Sequence, residues 1–332
     1  MLLDNQSFLQ YSLDNRDKWT PFSYQLSNLL VHSSEEGIIC FEPSDTNENT
    51  KSIVLSCGIH GNETAPIEIC EQIVSDLHAQ RITTKHRVLF IFGNLPSMLI
   101  AKRFVEENLN RLFNPDLTSD TLEGKRAKVL MQQLNDFFAN GNPDKRFHYD
   151  LHTAIRPSIN EKFAVYPYLH GKPYNKKQLA FLSDCDVNTI LLSQSPTTTF
   201  SYYSSYHHNA EAFTVELGKV KPFGENDMQK FVKVDNMLRK LIQQQEVEVT
   251  PFEKCPLQIF TVNQVINKGQ DDFRLCFDDA APNFTSFKKG EVIATESGKE
   301  FVAQVDDEAI VFPNANVPIG QRAILTVKPY EL

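Results

Sequence analysis

Six short apolar runs, rich in β-branched and aromatic residues, stand out in the first three quarters of the chain, at 52–57, 87–92, 147–152, 163–166, 189–192 and 213–217. Several are nearly continuous in apolar character, the pattern of strands covered on both faces. Between them, 64–78 places Ile69, Cys70, Ile73, Val74 and Leu77 on one helical face, and 122–140 does the same with Val129, Leu130, Leu134, Phe137 and Phe138. Helices interleaved with buried strands predict an α/β layer architecture. The pattern changes near Val249. After a helix at 227–245 come short runs at 257–268, 286–297, 300–305, 308–313 and 323–332, punctuated by Gly and Pro, with no further amphipathic helix. Two domains are therefore expected: α/β over 1–249 and small, all-β over 250–332.

Composition narrows the partners. The chain has 332 residues, 41% of them hydrophobic and 23% charged, enough for a real core, and its formal net charge is -9. An acidic chain without a basic block is poorly suited to nucleic acid or anionic membranes, so an anionic ligand would have to meet a local group of arginines. Residues 1–19 break every apolar stretch with charge and lack the basic start of a secretory leader. No apolar segment approaches the roughly 18 residues of a membrane span. The six cysteines (Cys40, Cys57, Cys70, Cys185, Cys255 and Cys276) form no CxxC pair, which fits reduced thiols in a cytoplasmic protein.

The candidate chemistry lies where strands end. In Gly58-Ile59-His60-Gly61-Asn62-Glu63-Thr64 a buried strand gives way to a turn and then a helix, and His60 and Glu63 can aim at one point across the flexible Gly61. Imidazole nitrogen and carboxylate oxygen are ligands that a catalytic zinc accepts, usually three from protein with water in the fourth place. Alone, an HxxE pair is more often a pair of satisfied polar residues. His152, closing the run 147–152, supplies the third ligand at the same sheet edge, where open α/β sheets gather their ligands. Asp150 shares a side with His152 by strand alternation; it either orients that imidazole or caps the following turn. Glu216 is the single carboxylate in an apolar strand. Such a charge is costly unless paired or functional, and beside a metal it can serve as the base for water. Between these stretches Arg103, Asn110 and Arg111 bring an amide and two guanidinium forks suited to a carboxylate or an oxyanion, although by composition alone they read as a solvated helix end. His207 and His208 read as surface residues.

The order HxxE, Arg, Asn-Arg, His and Glu resembles the zinc carboxypeptidase superfamily and its aspartoacylase-like branch. The likeness is carried by Gly58–Pro66, by Asp150-Leu151-His152-Thr153-Ala154-Ile155-Arg156 and by Glu216-Leu217-Gly218-Lys219. Pro222-Phe223-Gly224 with Asn226-Asp227, and Phe312-Pro313-Asn314, extend it over almost the whole chain. The resemblance implies a mixed sheet flanked by helices, a small barrel-like β domain, and one Zn²⁺ per chain held by His60, Glu63 and His152, with Glu216 as general base. It implies that Arg103 polarises the scissile carbonyl and that Asn110 and Arg111 hold a substrate carboxylate. Asn108 stands where relatives often carry an acidic residue or Ser, and no catalytic role is expected of it. Within the branch the stretches match most closely the members that cleave N-succinyl-L-glutamate to succinate and L-glutamate, the last step of arginine catabolism by the succinyltransferase route. Arg156 either meets one of that substrate's three carboxylates or pairs structurally with a nearby acid. A related N-acyl amino acid deacylase and a non-catalytic zinc binder are the alternatives. A true carboxypeptidase fits less well, and homo-oligomerisation is left open.

Overall fold

The computed structural model describes residues 6–332, so the first five residues of the stretch read for a leader lie outside it. In chain order the elements are α1 (Phe8–Asn15), β1 (Phe22–Leu26), β2 (Leu29–Ser33), β3 (Ile38–Pro43), β4 (Ser52–Cys57), α2 (Thr64–His78), β5 (Arg87–Phe92), α3 (Leu95–Leu99), α4 (Leu122–Ala139), β6 (Arg146–Ala154), β7 (Phe163–Tyr166), α5 (Lys176–Asp184), β8 (Thr189–Leu192), α6 (Phe200–His208), β9 (Glu211–Lys219) and α7 (Val232–Gln243). After these come β10 (Gln258–Asn267), β11 (Arg274–Leu275), β12 (Ser286–Phe287), β13 (Val292–Glu296), β14 (Lys299–Val302), β15 (Glu308–Val311) and β16 (Arg322–Pro329).

The apolar runs are strands because helices cover both faces. Along β4, Ile53, Leu55 and Cys57 face one core with Ile67, Ile73 and Leu238, while Val54 faces a second with Leu130, Phe138 and Phe200. That alternation of one strand between two helical layers is why its sequence reads as apolar throughout. The strands form one mixed sheet of 13, in the order β1-β2-β3-β5-β4-β6-β9-β7-β8-β10-β16-β15-β12. The parallel run β5-β4-β6-β9 is its centre. The mixed α/β architecture is as expected, and a small sheet β11-β13-β14 completes the β-rich C-terminal part around its own apolar cluster.

Some elements were not anticipated. The helix expected at 227–245 begins as a 3-10 turn at Met228–Phe231, with the Asp227 side chain accepting from Gln229 N at 3.3 Å, before α7 proper. The segment after 250 is not separate in its hydrogen bonding: β10 adds to β8 in parallel. All six cysteines are free, four of them buried, and among the described residues no helix is long and apolar enough to cross a membrane.

Candidate metal centre

Three neighbouring parallel strands deliver the site. Cys57 at the end of β4 lies opposite Leu151 in β6, and His152 in β6 lies opposite Glu216 in β9. Residues just beyond β4, in β6 and in β9 thus meet at one sheet edge. The turn that carries His60 is held by close packing. Gly58 takes a left-handed φ of +62°, where L side chains are strained. Gly61 does not; its requirement is space, since a Cβ there would lie 2.3 Å from the backbone of Ser97 and Met98. The flexibility expected of Gly61 is instead a close approach of two backbones. We predict that Gly61→Ala destabilises the metal-free protein by about 3 kcal/mol. An unchanged thermal midpoint would contradict this.

Glu63 is the hub. Its Oε1 accepts from His60 Nδ1 and from Arg103 Nη1, each at 2.8 Å, and its Oε2 lies 2.8 Å from His152 Nδ1 and accepts from Thr153 N at 3.1 Å. His60, Glu63 and His152 are all buried, and one ligand atom from each lies within 4.8 Å of the others. Two imidazoles and a carboxylate are a donor set that suits catalytic zinc, with positions left for water and substrate. Among the described residues one other such group exists, His32, Cys40 and Glu42, but its Glu42 carboxylate is committed to Arg87 at 2.7 Å.

The second layer explains the orientation of the rings. His152 Nε2 lies 2.9 Å from Asp150 Oδ2, and Ser56 Oγ donates to Asp150 Oδ1 at 2.6 Å. Asp150 therefore contacts the imidazole directly, as strand alternation allows. Burial disfavours charge on His152, yet Asp150 and Glu63 outweigh it and raise the imidazole well above its usual range. His60 moves the other way, down to about 4, through burial with help from Arg103 and His152 against Glu63. An imidazole kept neutral in this way is a ready metal ligand.

Glu216 is buried beside this group, and its Oε2 has no hydrogen-bond partner. Burial, and behind it the Glu63 carboxylate, raises its carboxyl to about 7 against the pull of His152 and Arg103. A buried carboxylate with an unpartnered oxygen and a pKa near neutrality is suited to moving a proton.

The arginines divide. Arg103 leads into a loop, not a helix end. Asn110 is buried, its Oδ1 accepts from Phe200 N at 2.9 Å, and its Nδ2 is 3.5 Å from His152 Nε2. Arg111 donates to the Asn110 carbonyl at 2.8 Å. Arg156 turns toward the C-terminal part, where Nη1 donates to Ala281 O at 2.7 Å and Nη2 to Pro313 O at 3.1 Å. His207 is exposed and His208 half-buried at the end of α6; neither belongs to the group around Glu63.

Two residues were missed. Asn108, for which no role was expected, places Oδ1 2.9 Å from His60 Nε2. Glu123, in the first turn of α4, accepts from the backbone N–H groups of Val105, Glu106 and Glu107 at 2.7, 3.1 and 3.1 Å and from Asn94 Nδ2 at 3.0 Å. It fixes the loop between Arg103 and Asn110. A glutamate early in a helix is too common for sequence to single it out, since such acids usually serve the helix dipole.

Known proteins share the sequence and the fold of this chain. Residues 49–242 match the family model described as the succinylglutamate desuccinylase/aspartoacylase catalytic domain, and residues 255–330 match the AstE/AspA barrel-sandwich hybrid domain. The succinylglutamate desuccinylase of Pseudoalteromonas atlantica is 53% identical over 319 residues, covering 94% of this chain and 91% of the relative. That of Shewanella frigidimarina is 47% identical, covering 99% and 97%. Among solved structures, the succinylglutamate desuccinylase of Vibrio parahaemolyticus superposes with a TM-score of 0.92 at 39% identity, covering 99% of this chain and 96% of that one. The one from Vibrio cholerae gives 0.92 at 36%, covering 98% and 97%.

Proposed function

Because the chain belongs to the succinylglutamate desuccinylase/aspartoacylase family, we propose that it hydrolyses N-succinyl-L-glutamate to succinate and L-glutamate, using one zinc ion per chain. The observation that carries this reading is the buried group of His60, Glu63 and His152 with the unpartnered oxygen of Glu216 beside it. His60, Glu63 and His152 would hold the metal. The chemistry zinc supplies at such a site is polarisation of the amide carbonyl and a lowered pKa for water. Glu216 takes a proton from the attacking water and passes it to the departing glutamate nitrogen. Arg103, anchored to Glu63 through one Nη, keeps its other N–H groups for the developing oxyanion. Asp150 holds the His152 ring in register, and Asn110 with Arg111 grips a substrate carboxylate. Arg156, with both terminal nitrogens on backbone carbonyls, ties the segment after β6 to the C-terminal region. The free thiols suit work in the cytoplasm, in the succinyltransferase route of arginine breakdown.

The test is release of glutamate from N-succinyl-L-glutamate with and without a chelator, beside N-acetyl-L-aspartate. We expect loss of activity in chelator, recovery on adding zinc, and at least a hundredfold preference for the succinyl substrate. Preference for the acetyl substrate would reassign the chain within its family; activity indifferent to chelator would refute the metal assignment. Arg111→Ala is expected to raise KM by about 30-fold with a smaller change in kcat, because a charged hydrogen bond made in both ground and transition states is lost. An unchanged KM in steady-state assays would remove Arg111 from the binding site.

A further inference from the structure

Asp150 joins the metal centre to a row of polar side chains that the proposed chemistry leaves unused. His148, Asp150 and His152 alternate onto one face of β6, and Ser56 stands directly opposite Asp150 in the pairing of β4 with β6. Ser204 reaches the same row from α6. Ser56, His148 and Ser204 are all fully buried, at 0% exposure. Ser56 Oγ lies 2.8 Å from His148 Nε2, and His148 Nδ1 lies 2.6 Å from Ser204 Oγ. The Phe200 ring meets that imidazole edge to face, its centre 4.7 Å away.

A hydroxyl has a single proton to donate, and that fixes the direction of every bond in the row. As a carboxylate, Asp150 only accepts, so the Ser56 proton is spent on Asp150 Oδ1, at 2.6 Å. Ser56 Oγ then has nothing to give His148 and must accept from it, which places a proton on His148 Nε2. Burial, against the pull of Asp150, lowers this imidazole to about 4 and keeps it neutral at neutral pH. Its bare Nδ1 accepts the Ser204 proton. The donors thus run one way, from Ser204 to His148, from His148 to Ser56 and from Ser56 to Asp150. The reverse order would hold two buried oxygens, of Ser56 and Asp150, in contact with no proton between them. Asp150 Oδ2 is left for His152 Nε2, at 2.9 Å, and the nitrogen of His152 beside Glu63 is Nδ1.

We propose that Ser56, His148 and Ser204 are positioning residues for the metal centre: their one-way row of protons holds Asp150 as an acceptor and so keeps the His152 ring turned with Nδ1 toward the metal. This rests on the metal site read above. It also gives a reason for a serine at a fully buried position of α6. The same helix begins at Phe200, whose N–H is held by Asn110, so one element braces both the row and a residue assigned to the substrate carboxylate.

The first experiment uses metal-free protein with isotope-labelled histidine. Long-range proton–nitrogen correlation spectra read which ring nitrogen carries the proton, and the His148 signals are those absent from His148→Gln. Expected is a proton on His148 Nε2 in the wild type at neutral pH; a bare Nε2 overturns the proposal. The second experiment measures zinc affinity, by competition with a chromophoric chelator, and steady-state turnover of N-succinyl-L-glutamate. Ser56→Ala is expected to weaken zinc binding about tenfold and to lower kcat of the zinc-saturated enzyme about tenfold, with KM within about twofold of wild type. His148→Leu should lose about fivefold in zinc affinity, whereas His148→Gln, whose amide can place an N–H where Nε2–H stood, should stay within about twofold. A part in folding alone would lower the melting temperature of Ser56→Ala and leave its zinc affinity and kcat at wild-type values, which overturns the proposal. If His148→Leu does not fold, Ser56→Ala and the wild-type spectra decide. A wild type that binds zinc without hydrolysing N-succinyl-L-glutamate overturns the reaction proposed above and leaves the zinc affinities to judge the row. A wild type that binds no zinc overturns the metal assignment and this inference with it.

Discussion

Glu216→Gln is expected to lower turnover of N-succinyl-L-glutamate by about a thousandfold while leaving the metal content unchanged. Glutamine keeps the shape of the side chain but cannot accept the proton, and Glu216 stands outside the group of three side chains suited to the metal. Its surroundings add a second effect. Its carboxyl is raised by burial and then by Glu63, so the ionised form is disfavoured in the folded state. For an acid whose folded pKa exceeds the unfolded one, that cost is full above the folded value near 7 and vanishes below the unfolded value near 4.5. Metal-free Glu216→Gln is therefore expected to exceed the metal-free wild type in stability by about 1 kcal/mol at pH 8, the gain fading by pH 5. Single-turnover assays, metal analysis and melting at the two pH values check these points together. Turnover within tenfold of wild type would end the assignment of Glu216 as base.

Glu63→Ala has the other large effect, and it acts on the metal as well as on activity. Zinc content is expected to fall below about a tenth of wild type and turnover by at least a thousandfold, because one ligand and the common partner of two others disappear together. The buried cost is also considerable: Arg103, His60, His152 and the Thr153 N–H all lose their acceptor. Removing one side of a buried charged network costs about 3–5 kcal/mol. Glu63→Gln, which keeps an acceptor oxygen, should recover much of that stability without recovering the metal. Wild type stripped by chelator is expected to stay folded, since its donors bond to one another, and to regain activity with zinc. Full zinc occupancy in Glu63→Ala would contradict the ligand assignment.

The legible parts of the fold were those with a strong local pattern. Strands at 52–57, 87–92, 163–166 and 189–192 and the helix at 64–78 are apolar segments with clear punctuation, and the structure reproduces those bounds. β1 escaped notice because it is a half-exposed edge strand with only one residue fully buried. α6, with the sequence FSYYSSYHH, carries Ser among its buried positions and lacks the apolar stripe that marks a helix. Within the site, His152 and Asp150 were readable because strand alternation fixes their side. Arg103 on Glu63, Asn108 on His60 and Glu123 under the connecting loop were not, because each contact depends on how distant segments fold back. Arg156 shows the same limit: residue type and charge admitted a ligand contact, and only tertiary structure shows both its terminal nitrogens on carbonyls.

The parallel pairing of β8 with β10, residue for residue from Thr189–Gln258 to Leu192–Thr261, has a mechanical consequence. A region joined by a shared ladder cannot swing like a lid on a tether without first tearing a row of hydrogen bonds. Cleaving the chain at 250 and removing its C-terminal piece would leave β8, buried along its whole length, as an open and sticky margin ready to recruit another chain. The C-terminal strands thus act as a selvedge for the catalytic sheet, and the two regions should melt together as one cooperative unit.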